Sequence, residues 1–143
     1  MTEDETRLPE MTGRCLCGAV GFTASDVEPG HHACHCEMCR RWGSGPYMGA
    51  RAAAMRFVGG EHLATYASSE WAERAFCTKC GSNLYYRLKS GGDYYVSVGA
   101  FDDPTPFTVI GEIFIDAKPR GYDLAGDHPR LTEKQVLEKF GIG

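Results

Sequence analysis

Seven cysteines in 143 residues fall into three short groups: Cys15-Leu16-Cys17, Cys34-His35-Cys36-Glu37-Met38-Cys39 and Cys77-Thr78-Lys79-Cys80. Within each group the sulfurs stand two or three residues apart, close enough for one metal ion to bridge them. Thiolates in this pattern are zinc ligands. Four of them close a tetrahedral site, whereas three leave a fourth position for water or substrate, which separates a structural zinc from a catalytic one. Seven divides as four and three, so two unequal sites are expected.

Each group has its own geometry. Cys77-Thr78-Lys79-Cys80-Gly81 reads as a zinc knuckle. Two cysteines three apart in a tight turn aim both sulfurs at one ion, and the following glycine can take positive φ and turn backbone N–H groups toward them. In Cys15-Leu16-Cys17-Gly18, an extended chain would put both sulfurs on one face and send Leu16 the other way, toward the core. In the third group, Cys34 and Cys36 can leave a strand and Cys39 the next turn, so that all three cap one face of an ion. His35 is expected to point away from that ion, and His31 and His32 to be solvated or hydrogen-bonded. Spacing alone leaves the pairing open, because Cys36 and Cys39 with Cys77 and Cys80 would also complete four ligands and strand Cys15, Cys17 and Cys34.

Charged and aromatic neighbours supply further candidates. Arg40 and Arg41 follow Cys39 and can offset thiolate charge or bind a substrate carboxylate, unless they are solvated surface residues. Glu37 is either a general base or a solvated carboxylate. Trp42, Tyr47, Arg74 and Phe76 flank the cysteine motifs and either line a pocket or pack.

The elements that must carry these residues are mostly strands. Val20, Phe22 and Ala24 alternate with small or polar residues, and Leu84, Tyr86 and Leu88 repeat the pattern. Residues 94–98 and 112–115 are rich in β-branched and aromatic side chains. Gly59-Gly60, Gly91-Gly92 and Asp102-Asp103-Pro104 mark turns. One helix is predicted from a capping box, Thr132 with Gln135, with Leu131 and Val136 as its hydrophobic staple; it runs to Phe140 and stops at Gly141. The expectation is a flexible tail over residues 1–11 and one domain over 12–143. Hydrophobic residues make up 43% and the net charge is −4, which fits a globular core and gives no basic surface for nucleic acid. No apolar run is long enough to cross a bilayer, and the acidic start lacks the pattern of a signal peptide. A cytosolic setting follows, where clustered thiols stay reduced and bind metal rather than form disulfides. A strand-rich domain also offers an edge for a homodimer.

Three stretches together resemble one known family. They are Gly13-Arg14-Cys15-Leu16-Cys17-Gly18-Ala19-Val20, Cys34-His35-Cys36-Glu37-Met38-Cys39-Arg40-Arg41-Trp42 and Arg74-Ala75-Phe76-Cys77-Thr78-Lys79-Cys80-Gly81. The later segments 99–103 and 113–119 fit as well. The resemblance, over about residues 13–140, is to the glutathione-dependent formaldehyde-activating enzymes, a family that includes centromere protein V. It implies a zinc-binding β-tent fold of the methionine sulfoxide reductase B type, so the fold expected is a mainly β single domain with the short C-terminal helix read from its capping box. It also implies a pairing: Cys15, Cys17, Cys77 and Cys80 for a structural zinc, and Cys34, Cys36 and Cys39 for an open catalytic zinc. The activity implied is that of a carbon–sulfur lyase joining glutathione and formaldehyde into S-(hydroxymethyl)glutathione, so the expected partner is a small thiol or thiol adduct. The chain departs from the family pattern at Leu16, where many members carry His; the family also often has a His before the segment 113–115 and a Trp after Lys118-Pro119, where Glu112 and Tyr122 stand nearby in this chain. Zinc-water hydrolysis of an imine-type adduct and a non-catalytic zinc-stabilised module are the alternatives.

Overall fold

A computed structural model describes residues 7–140. Among the described residues the strands, in chain order, are β1 (Leu8–Arg14), β2 (Gly21–Val27), β3 (Gly30–Cys34), β4 (Tyr47–Ala52), β5 (Ala54–Val58), β6 (Leu63–Ala67), β7 (Ala72–Cys77), β8 (Asn83–Leu88), β9 (Tyr94–Ser97), β10 (Thr108–Ile113) and β11 (Arg130–Leu131). The helices are α1 (Glu37–Gly43) and α2 (Glu133–Phe140). The fold is mainly β, with a short helix near the C-terminus. Among the described residues no helix is long and apolar enough to cross a membrane. The described residues form two compact units, one of residues 7–29 with Gly49–Phe107 and one of Gly30–Met48 with residues 108–140.

In the first unit, β1, β2 and β5 form an antiparallel sheet in that order. Antiparallel pairing also links residues 49–52 of β4 to β9, then β9 to β8, β8 to β7 and β7 to β6. The expected alternation in β2 is present: Val20, Phe22 and Ala24 are buried. Asp26, at φ 52°, breaks the strict period, and Val27 rather than Asp26 is buried. These side chains pack with Ala50, Ala52, Ala75, Leu84, Tyr85, Val96 and Phe101 in one apolar core. Phe101 meets Phe22 edge-on at 5.5 Å and stacks on Phe107 at 4.6 Å, both favourable arrangements for aromatic rings.

Two expectations shift here. The stretch read as a tail includes residues 8–11, but these belong to β1, where Leu8 pairs with Val27 and Met11 with Ala24, and both pack on the core. Their apolar side chains were too few to register as a strand without the partner β2; residues 1–6 lie outside the described residues. In β8 the buried residues are Leu84 and Tyr85 rather than Leu84, Tyr86 and Leu88, because the register with β7 shifts between Ala75 and Phe76.

In the second unit β3, β10 and β11 lie parallel, with β10 between the other two. Glu112 stands opposite Ala33 on one side and Arg130 on the other. Helix α2 begins with the predicted capping box: the Thr132 N–H donates to Gln135 Oε1 at 2.8 Å, and the Gln135 N–H to Thr132 Oγ1 at 3.3 Å. Val136 is fully buried and Leu131 half-buried. The stop at Gly141 lies outside the described residues. Helix α1 had no recognised signal; it is seven residues long and is capped by a cysteine instead of a usual capping residue.

Candidate metal centres

The structure brings the seven cysteines together in two groups, each with all its sulfurs within 4.8 Å of one another. The first holds Cys15, Cys17, Cys77 and Cys80, in the first unit. Cys15 follows the end of β1 and Cys77 ends β7; both are buried, whereas Cys80 is half-buried and Cys17 exposed. The Cys15 and Cys17 sulfurs lie 3.7 Å apart, and those of Cys17 and Cys77 3.9 Å. A disulfide would need about 2.05 Å. A tetrahedral ion with metal–sulfur bonds of about 2.3 Å spaces its ligands by about 3.8 Å, so the donor set fits such an ion.

The loops that carry these sulfurs also supply donors to them. The Val20 N–H points at Cys15 Sγ, 3.3 Å, and the Lys79 N–H at Cys77 Sγ, 3.3 Å. The Ser82 hydroxyl lies 3.2 Å from Cys80 Sγ and accepts the Leu16 N–H at 2.9 Å, which ties the two cysteine loops together. Gly81 takes φ 80° and donates its N–H to the Cys77 carbonyl at 2.8 Å, closing the knuckle. The Ser82 hydroxyl, with backbone N–H groups, holds the Cys80 thiol down at about 5. Leu16 departs from its expected position: it is 81% exposed rather than turned into the core. Cys15 and Cys17 sit in a turn, with the Gly18 N–H on the Cys15 carbonyl, and not on an extended strand. The strand rule for opposite faces therefore does not apply to Leu16.

The second group holds Cys34, Cys36 and Cys39, in the second unit. Cys34 ends β3. Cys36 caps α1, its sulfur accepting the Cys39 N–H at 3.4 Å, and Cys39 is buried in the first turn. Contacts with the Cys36 and Cys39 sulfurs, then burial, push the Cys34 thiol far up. Three crowded thiols cannot all ionise unless a cation neutralises them, so this group also fits a metal ion, with one position left over. Glu37 and Arg41 form an exposed ion pair at 2.9 Å, one turn apart on the solvated face of α1. Arg40 is exposed. The rings of Trp42 and Tyr47 are 5.5 Å apart. Arg74 and Phe76 lie on β7 in the first unit; Arg74 is buried, with its guanidinium over the Tyr86 ring at 5.0 Å.

His35 does point away from the sulfurs, into a buried polar cluster that no sequence motif announces. It is 2% exposed. Its Nε2 lies 2.7 Å from Glu112 Oε1 and its Nδ1 3.2 Å from the Tyr122 hydroxyl. Glu112 Oε2 meets His128 Nε2 at 2.7 Å and Arg130 Nε at 2.9 Å. Burial alone would push the Glu112 carboxyl up, but hydrogen bonds from His128 and His35 and the Arg130 charge outweigh it and lower its pKa. An ionised carboxylate only accepts hydrogen bonds, so both histidines donate to it through Nε2. His31 is buried near the His32 carbonyl, and burial lowers its pKa.

Comparison with known proteins gives concordant findings. The family model described as glutathione-dependent formaldehyde-activating enzyme matches residues 10–117. A protein of Schizosaccharomyces pombe named as an uncharacterized lyase is 36% identical over 135 residues, covering 93% of this chain and 98% of that relative. A solved structure of a Rhodobacter sphaeroides protein is similar with a TM-score of 0.55 and 26% identity, covering 84% of this chain and 99% of that one.

Proposed function

Because the chain belongs to the family of glutathione-dependent formaldehyde-activating enzymes, we propose that it is a zinc-dependent carbon–sulfur lyase acting on a thiol–aldehyde adduct, of which S-(hydroxymethyl)glutathione is the type. The observation that carries this reading is the unequal grouping of the cysteines, four against three. Cys15, Cys17, Cys77 and Cys80 would hold a structural zinc, and Cys34, Cys36 and Cys39 a catalytic one. The relative named as a lyase supports the reaction class. The β-tent architecture and a cytosolic setting, in which the thiols stay reduced, belong to the same proposal.

Zinc on the three-cysteine face would supply a Lewis acid and an open position that favours the thiolate form of an incoming thiol. The residues of the chain define what happens around it. Cys34, Cys36 and Cys39 would hold the ion and leave one position for a thiol. Exposed Arg40, next to Cys39, can take a carboxylate of the substrate. In the synthetic direction the thiolate sulfur bonds to the aldehyde carbon, the carbonyl π pair moves to oxygen, and that oxygen takes a proton. The lyase direction returns the proton and breaks the carbon–sulfur bond. Hydrolysis of an imine-type adduct would need a general base beside the three cysteines, and Glu37, the candidate, is exposed on the surface of α1.

The test is to follow adduct formation from glutathione and formaldehyde by NMR, with and without the zinc-loaded protein. Acceleration in both directions, lost in Cys36→Ser, is the expected result. Rates equal to the protein-free control in both directions would refute the activity.

A further inference from the structure

Glu112 is the centre of a buried arrangement that a space-filling role does not explain. It is 1% exposed, and both carboxylate oxygens are engaged, Oε1 by His35 and Oε2 by His128 and Arg130. Placing a carboxylate out of water is costly, and an apolar residue of similar volume would usually serve stability as well or better. The arrangement must therefore be read by what it fixes. What it fixes is His35, the residue between Cys34 and Cys36.

His35 is held at three points. Its Nε2 is held by Glu112, its Nδ1 by the Tyr122 hydroxyl, and its backbone N–H by the Ile113 carbonyl at 3.0 Å. The short link between two sulfurs of the open group thus has no freedom to turn. The holding residues are themselves anchored. The Glu112 N–H donates to the Pro129 carbonyl at 2.9 Å, and Glu112 stands opposite Arg130 in the β10–β11 pairing. Arg130 also donates to the carbonyls of Leu124, Gly126 and His128, at 2.9, 3.0 and 3.3 Å. Lys118 sits 4.8 Å over the Tyr122 ring, which helps to fix that residue in turn.

We propose that Glu112 is a positioning residue for the open metal site, acting through His35 to preset the Cys34–Cys36 spacing, with Tyr122 as the second support. Preset ligands bind and retain a metal more tightly than ligands that must be ordered on binding, and loss of an outer support of this kind costs about 10–100-fold in affinity. The proposal rests on the reading that Cys34, Cys36 and Cys39 hold a metal ion. The segment from Tyr122 to Arg130 then becomes part of the metal site, although none of its residues is a ligand.

The experiment uses the full chain loaded with zinc and measures release of each ion to a chromophoric chelator. Cys36→Ser identifies which release phase belongs to which site. In Glu112→Gln, release from the three-cysteine site is expected to quicken about tenfold or more, with release from the four-cysteine site unchanged. Tyr122→Phe should move the same phase less. In cobalt-loaded Tyr122→Phe, the thiolate-to-cobalt bands of the three-cysteine site should shift while the thermal midpoint stays at the parent value. Release rates that match the parent in both variants, or that rise at both sites in step with a lower midpoint, overturn the proposal. Should Glu112→Gln not fold, Tyr122→Phe decides alone. All readouts are of metal, so they stand even if the parent proves inactive on thiol adducts. A parent that binds a single ion would instead overturn the site assignment itself.

Discussion

Replacing Gly59 by alanine should damage the four-cysteine centre from a distance. Gly59 sits at φ 75°, and a Cβ built there would lie 1.8 Å from the Ala19 carbonyl oxygen and 3.6 Å from the Val20 Cα. The left-handed backbone alone costs a side-chain-bearing residue roughly 1–2 kcal/mol. The collision is with backbone, which cannot rotate aside, and overpacking of this kind adds about 1–3 kcal/mol. Gly59→Ala is therefore expected to lose about 2–5 kcal/mol. Gly81 provides the control: it has φ 80° and nothing within 4 Å of the added Cβ, so Gly81→Ala should lose only the conformational part, about 1–2 kcal/mol. At roughly 3 °C per kcal/mol for a chain of this size, the two midpoints separate clearly in a calorimetric scan. There is a second consequence. The segment that Gly59→Ala would displace carries the Val20 N–H on Cys15 Sγ and the Val20 carbonyl that accepts the Cys15 N–H. Metal release from the four-cysteine site should quicken in Gly59→Ala relative to the parent. Equal midpoints for the two variants, or a Gly59 variant as stable as the parent, would refute the placement of Ala19 against Gly59.

Further outcomes are expected. Cys36→Ser should lower the metal content by one of the two sites while the fold persists, because serine is a good substitute for Cys36 as the cap of α1; elemental analysis with circular dichroism reads this. Ser82→Ala removes both the acceptor of the Leu16 N–H and the hydroxyl beside Cys80, so chelator release from the four-cysteine site should quicken with a stability loss of about 0.5–1.5 kcal/mol. Glu112 has its pKa lowered in the folded chain, so its contribution is complete above the ordinary carboxyl value of about 4.3 and is lost as pH falls through the lower folded value. The gap in urea midpoint between the parent and Glu112→Gln should be wide at neutral pH and should narrow below about pH 4.3.

What the sequence made legible was local. The sulfur groups could be read because their spacing of two or three residues fits within one turn, and the Thr132–Gln135 capping box because both partners lie within one turn of α2. Spacing was silent on which groups share an ion, because Cys15 follows β1 in one sheet and Cys77 ends β7 in another, and no local pattern relates the two. Leu16 was misplaced for a related reason. The strand alternation applied to it assumes an extended chain, whereas the Gly18 N–H folds that segment into a turn and turns Leu16 out. Helix α1 escaped notice because Cys36, already counted as a ligand, also serves as its cap.

The Glu112 cluster shows a deeper limit. Its five side chains come from positions 35, 112, 122, 128 and 130, and no periodicity relates them. A glutamate in a strand reads as an exposed position by the usual alternation. Here Glu112 is enclosed instead, its carboxylate covered by His35, His128 and Arg130. Enclosure makes a lone carboxylate untenable, and Arg130 stands opposite it through the parallel register. The same register brings in His128, and β3 leads directly into His35. Once β10 is placed centrally, the position of Glu112 dictates its partners, and those partners hold the link between Cys34 and Cys36. The metal ligands are thus encoded in short motifs, while their support is encoded in strand order.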